Sequence, residues 1–148
     1  MNDNRRIVNA TPFTAFDGTP MKSKLETYMY KWLYDFGFQP VYEGETFTYW
    51  TGPRPTVPFY DMKNRHNHLN MTKLVDMKYT PDFTFMFNDI KIIVEAKGFE
   101  NDQFPLRKKL FRAYLETLDY PVIYAEIYTK RQLTEFINEL RTKYETSE

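Results

Sequence analysis

Residues 82–97 read DFTFMFNDIKIIVEAK, two runs rich in aromatic and β-branched residues joined by Asn88-Asp89. Such runs favour extended backbone, and a two-residue polar link suits a tight turn, so the stretch predicts a β-hairpin. A hairpin also fixes register. Counted back from the turn, Asp82 falls opposite Glu95. Side chains alternate along a strand, which places Ile93, Glu95 and Lys97 on one face and Ile92, Val94 and Ala96 on the other. Two acids and a lysine therefore meet at one end of an otherwise apolar hairpin.

The remaining elements follow from periodicity. Leu25, Met29, Trp32, Leu33 and Phe36 recur at helical spacing between about Lys22 and Phe36, and Gly37 supplies a stop. The alternating, aromatic-rich QPVYEGETFTYW predicts a strand. Pro53, Pro55 and Pro58 then break regular structure, so residues 51 to about 72 are expected to form a long surface loop. Beyond Gly98 a polar loop precedes a helix carrying Leu106, Leu110, Phe111, Tyr114, Leu115 and Leu118, then the strand PVIYAEIY. A last helix carries Leu133, Phe136, Ile137 and Leu140. A strand–helix–strand unit of this kind calls for a right-handed parallel crossover. The expectation is a single α/β domain over residues 1–148, with a mixed central β-sheet flanked by α-helices, and without internal repeats or a Gly/Ser linker.

Composition removes several function classes. Cysteine is absent, which excludes disulfide frameworks, thiolate zinc sites and cysteine nucleophiles. MNDNRRIVNATPFTAF has no apolar core of a signal peptide, and no apolar run approaches the ~18 residues of a membrane span. A cytoplasmic protein with no membrane partner is expected. Twenty basic and twenty acidic side chains cancel, so attraction to a polyanion has to come from local patches. Aromatics make up 18% of the chain, many at apolar positions where they fill a core.

Two carboxylates and a lysine at a strand end suit a hard divalent cation. Mg²⁺ takes oxygen ligands, keeps waters and accepts a phosphate oxygen, while an ammonium offsets phosphate charge or orients a water. The chemistry implied is phosphodiester hydrolysis. The bland alternative is a strand that opens on Asp82 and an exposed Glu95–Lys97 pair.

TPDF followed by VEAKG resembles the PD-(D/E)XK nuclease superfamily. The chain is similar, over about Lys22 to Leu118, to small phage-encoded members, among them the endonuclease I type of Holliday-junction resolvase. KSKLE in the first helix and the basic AKGFENDQFPLRKKLF strengthen the likeness. The resemblance implies a restriction-endonuclease-like core and a DNA endonuclease dependent on Mg²⁺ or Mn²⁺, with a preference for branched or junction DNA in phage DNA metabolism. It implies Asp82 and Glu95 as metal ligands, the Ala96 carbonyl as a further ligand, Lys97 as the catalytic lysine and Glu26 as an accessory ligand. No small-molecule cofactor is implied. If phage-encoded, the protein would act in the bacterial host cytoplasm. The alternative function on the same fold is a catalytically inactive DNA-binding or phage–host interaction module, and cutting two opposed strands would call for a homodimer.

Candidate DNA contacts are dispersed. Residues 51–80 hold Arg54, Lys63, Arg65, Lys73 and Lys78 against Asp61 and Asp76, a surplus suited to phosphate. Lys22 and Lys24 flank Glu26, and Lys108 and Arg112 lie on the basic helix after the hairpin, where they are expected to border the metal site. RHNHLN has the letters of an HNH nuclease but not its dispersed arrangement, and two histidines without a third ligand make a poor metal site.

Overall fold

In the computed structural model, residues 13–98 and 104–145 are described. The amino-terminal stretch through Pro12 and most of the polar loop after Gly98 lie outside them. In chain order the elements are β1 (Phe13–Thr14), β2 (Pro20–Met21), α1 (Lys24–Asp35), β3 (Val41–Tyr42), β4 (Phe47–Trp50), β5 (Tyr60–Lys63) and β6 (His66–Leu69). There follow β7 (Met77–Tyr79), β8 (Phe83–Phe87), β9 (Ile90–Ala96), α2 (Phe104–Leu115), β10 (Val122–Ile127) and α3 (Lys130–Tyr144).

The central sheet has the order β10–β9–β8–β3. β8 and β9 form the expected hairpin, with Phe83 paired to Val94 and Phe87 to Ile90. Asn88 and Asp89 both take positive φ, 46° and 65°, as a tight two-residue turn between twisted strands demands. β10 runs parallel to β9 with α2 between them, and β3 adds antiparallel to β8, so the sheet is mixed. No helix among the described residues is long and apolar enough to cross a membrane.

The two faces of β9 pack against different partners, as its alternation requires. Ile92 and Val94 join Phe83 and Phe85 against Met29 and Leu33 of α1 and Leu133, Ile137 and Leu140 of α3. Ile93 faces the other way, into Phe47, Tyr79 and Phe111. Burying each of these large side chains stabilises the fold by about 1.5–3 kcal/mol. Ser23 caps α1 by accepting from the Glu26 N–H at 3.1 Å. At the other end Gly37 has φ 95°, and the N–H groups of Gly37 and Phe38 close on the carbonyls of Tyr34 and Leu33. That is the paired bonding of a helix ended by a left-handed residue.

Three expectations are corrected. QPVYEGETFTYW is two short strands in different sheets, β3 and β4, because the chain turns at Glu43, whose φ is 47°. Leu106 and Leu110 are exposed, since α2 meets the sheet along the narrower stripe of Phe111, Tyr114 and Leu115.

The third correction concerns residues 51–72, in which 51–59 and 70–72 lack regular structure as expected but 60–69 form a hairpin, so that the segment stands as an arm. β4 pairs antiparallel with β7, Phe47 to Tyr79 and Trp50 to Met77. Above this base Gly52 N–H donates to Asp76 Oδ1 (2.9 Å), Leu74 N–H to the Pro53 carbonyl (3.2 Å) and Asn70 N–H to the Phe59 carbonyl (2.8 Å). β5 and β6 then pair up to a tip at Asn64-Arg65, where φ is 52° and 64°. Gly52 is needed for the two chains to approach: a Cβ there would lie 1.8 Å from the Leu74 carbonyl oxygen. The prolines fall on the ascending chain below β5, where they leave the hairpin ladder intact.

Candidate active site

The hairpin register delivers Asp82 one residue beyond the Phe83–Val94 pair, directly beside Glu95. Both are tied to the backbone of the opposite strand or its neighbour. Ala96 N–H donates to Asp82 Oδ2 at 2.8 Å, and Asp82 N–H donates to Glu95 Oε2 at 3.2 Å. Lys97 follows on the same face as Glu95, is almost wholly buried, and its N–H donates to the Ile127 carbonyl at 2.9 Å. Its positive charge acts on Glu95.

Glu26 reaches the same place from the first turn of α1. The Lys22 N–H donates to its Oε2 at 3.4 Å, and the Tyr42 hydroxyl donates to that oxygen as well. Its carboxylate is therefore buried and bonded rather than a solvated helix charge. Glu43 completes the group. The turn after β3 hangs on Asp82, with Glu43 N–H donating to the Asp82 carbonyl at 2.8 Å, while the Glu43 carboxylate pairs with Lys22 Nζ at 2.8 Å. Carboxylate oxygens of Glu26, Glu43 and Asp82 lie within 4.8 Å of one another. Glu43 escapes a reading of sequence alone because its place depends on β3 pairing with β8. Its local signal, an acid one residue past a two-residue strand, is too common to notice.

Electrostatics follow from this crowding. Burial, reinforced by the charges of Glu95 and Glu26, pushes the Asp82 carboxyl up to about 8 from an ordinary 3.8. Burial also raises Glu95, against the opposing pull of the Tyr79 hydroxyl, the Asp82 N–H and Lys97. Tyr79, on β7, donates to Glu95 Oε2 at 2.5 Å, and its own ionisation is driven up by burial and by that carboxylate. Tyr79 thus fixes the Glu95 side chain from the base of the arm.

A hydrogen bond from a hydroxyl to a buried carboxylate is charge-assisted. Tyr79→Phe is expected to cost about 1–3 kcal/mol in urea unfolding near pH 8. At acidic pH, where Glu95 takes up a proton, the cost should shrink. Equal stability of mutant and wild type across the range would remove Tyr79 from this role.

An open cleft of about 480 Å³ is lined by Lys22, Glu43, Lys78, Tyr79, Thr80, Asp82, Glu95, Ala96, Lys97 and Arg107. Lys22 and Lys78, two of the candidate DNA contacts, line this cleft together with the carboxylates, and Arg107 joins them. Lys108 and Arg112 line instead a neighbouring cavity of about 660 Å³ between α2 and β10, where Lys108 Nζ pairs at 2.7 Å with Glu126, the register partner of Glu95. One helical residue makes the difference, since Arg107 and Lys108 project about 100° apart. Lys24 sits over the Tyr28 ring, 5.9 Å from its centroid, outside the cleft lining. Arg54, Lys63, Arg65 and Lys73 belong to the arm. His66 and His68 lie on β6, with His68 Nδ1 bonded to Asp61 at 2.9 Å.

Three close carboxylates offer only hard oxygen donors, the set preferred by Mg²⁺ and Mn²⁺ over softer metals. A divalent cation would offset both the burial of the Asp82 charge and the repulsion from its neighbouring carboxylates, so the residues fit such an ion. No protein-family model, curated protein or solved structure matches the chain.

Proposed function

We propose that the chain is a metal-dependent deoxyribonuclease with a restriction-endonuclease-like core of the PD-(D/E)XK type. The observation that carries the reading is the convergence of Asp82, Glu95 and Lys97 at one end of the hairpin, with Glu26 and Glu43 closing on Asp82. The order of α1, hairpin, α2 and a parallel β10 supports the same core.

Asp82, Glu26 and Glu43 would hold Mg²⁺ or Mn²⁺, with Glu95 beside them. When bound, the ion supplies positive charge to a phosphate oxygen and acidifies a water. The protein's own groups do the rest. Tyr79 and the Asp82 N–H hold Glu95 in one orientation, as a proton acceptor or ligand needs. Lys97, buried next to Glu95, sets a cation where negative charge develops on the phosphate. Lys22, Lys78 and Arg107 line the approaches, where flanking phosphates would lie.

The test is a panel of linear, nicked, flapped and four-way DNA incubated with Mg²⁺ or with EDTA. Products that require Mg²⁺ are expected from at least one member. Binding without cleavage of any would assign the inactive DNA-binding module instead. Glu43→Gln is expected to raise the Mg²⁺ concentration for half-maximal cleavage by about tenfold, since one charged ligand is lost. An unchanged requirement would remove Glu43 from the metal site.

A further inference from the structure

We infer that the arm formed by residues 52–76 is a docking surface for DNA with unpaired bases, its apolar face taking the bases and its basic residues the phosphates. For the identity of its ligand the inference rests on the nuclease reading.

The register divides the tip hairpin into two unlike faces. Tyr60 pairs with Leu69 and Met62 with Asn67, while Asp61 pairs with His68 and Lys63 with His66. Cross-strand partners share a face. Tyr60, Met62 and Leu69 thus form an apolar face, and they are 63%, 75% and 49% exposed, far more than a side chain serving the fold. Phe59, just before β5, is also exposed. On the opposite face Asp61 is occupied, bonded to His68 Nδ1 (2.9 Å) and to Asn70 Nδ2 (2.8 Å). Asp76 is likewise engaged by the Gly52 N–H and lies 3.8 Å from Lys73 Nζ. The two acids of the arm keep their charge but are outnumbered by Arg54, Lys63, Arg65 and Lys73, so the arm is net positive.

The cations stand at successive levels. Lys78 is at the base and lines the cleft, Arg54 and Lys73 flank the Pro53–Leu74 bond, and Lys63 and Arg65 are at the tip. At ~3.3 Å per residue such a ladder spans several phosphates of an extended strand. Charge decides the occupant. A second copy of the arm would bring the same positive surplus against this one, whereas a nucleic acid is complementary to it. A fully paired duplex hides its base faces, so only unpaired bases offer planar apolar surface to Tyr60, Met62 and Leu69. β7 continues from the arm into Tyr79 and the carboxylates, so a strand lying on the arm is led to the cleft.

The experiment measures binding by fluorescence anisotropy in EDTA, with an oligodeoxythymidylate and a blunt duplex of equal length. Sedimentation of each protein is run in parallel. One variant is Tyr60→Ser/Met62→Ser/Leu69→Ser, the other Lys63→Ala/Arg65→Ala, and both change only exposed residues outside the core. The apolar triple is expected to weaken single-strand binding about tenfold or more and duplex binding by less than about twofold. The basic double should weaken both and reduce the slope of log K against log salt for single strands by about 1.4.

Wild-type affinity in both variants would overturn the inference. So would a wild-type dimer that the apolar triple converts to monomer at unchanged DNA affinity, which assigns the face to a second copy. Because the readout is binding without cleavage, failure to cut DNA counts against the nuclease reading alone. Cleavage at wild-type single-strand affinity in both variants counts against the arm alone.

Discussion

Asp82→Asn is expected to lower Mg²⁺-dependent cleavage on the order of 10³-fold or more and, at the same time, to stabilise the metal-free protein. The two effects have one cause. Asp82 is buried among Glu26, Glu43 and Glu95, and its carboxyl is pushed up to about 8. In the unfolded chain it titrates near 4, so between about pH 4 and pH 8 the folded state binds a proton that the unfolded state has released. The stability tied to that proton is whole below about pH 4 and is lost as pH rises through about 8. Even half of the displacement is about 3 kcal/mol. The metal-free protein should therefore melt at lower temperature at pH 8 than at pH 5, and Mg²⁺ should restore more at pH 8. Asn keeps an oxygen to accept from the Ala96 N–H but carries no charge. Thermal unfolding of Asp82→Asn should accordingly fall less steeply with pH than that of wild type, with the buried Glu95 left to titrate, and lie roughly 5–10 °C above wild type at pH 8 without metal. A mutant that is both inactive and less stable at pH 8 would mark Asp82 as structural, and an active one would dismiss the site.

Lys97→Met should lose about 10²–10³-fold in turnover while metal binding stays the same or tightens. Methionine fills a similar volume, so the buried position is kept packed. What disappears is a positive charge next to Glu95, one of the influences that lower the Glu95 pKa. Its removal leaves the carboxylates more attractive to a cation and harder to ionise, so the acid limb of the pH–rate profile should move to higher pH. Mn²⁺ titration followed by calorimetry, with single-turnover cleavage at several pH values, separates the two effects. Full turnover in Lys97→Met would remove the lysine from the reaction, and lost metal binding would show that it only supports the fold.

How far the site could be read from sequence depends on how local each contact is. Asp82, Glu95 and Lys97 were legible because a two-residue turn and period-two alternation fix their relation within one hairpin. α1 and its Gly37 stop were legible for the same reason, through spacing and a left-handed terminus. The arm was not. β5 and β6 are polar and aromatic rather than alternating against a core, and their pairing relies on two non-glycine residues of positive φ at the tip and on Gly52 lower down.

Sequence by itself determined the hairpin, the face that carries its charges, and the mixed α/β order of the elements, since each follows from short-range stereochemistry. Only the tertiary structure decided that Glu43 joins Glu26 at Asp82, that Tyr79 holds Glu95, and that Arg107 rather than Lys108 reaches the cleft. These contacts join residues from separate elements. Such contacts form where packing of β3 on β8, of β7 on β4 and of α2 on the sheet closes distances that no spacing along the chain encodes.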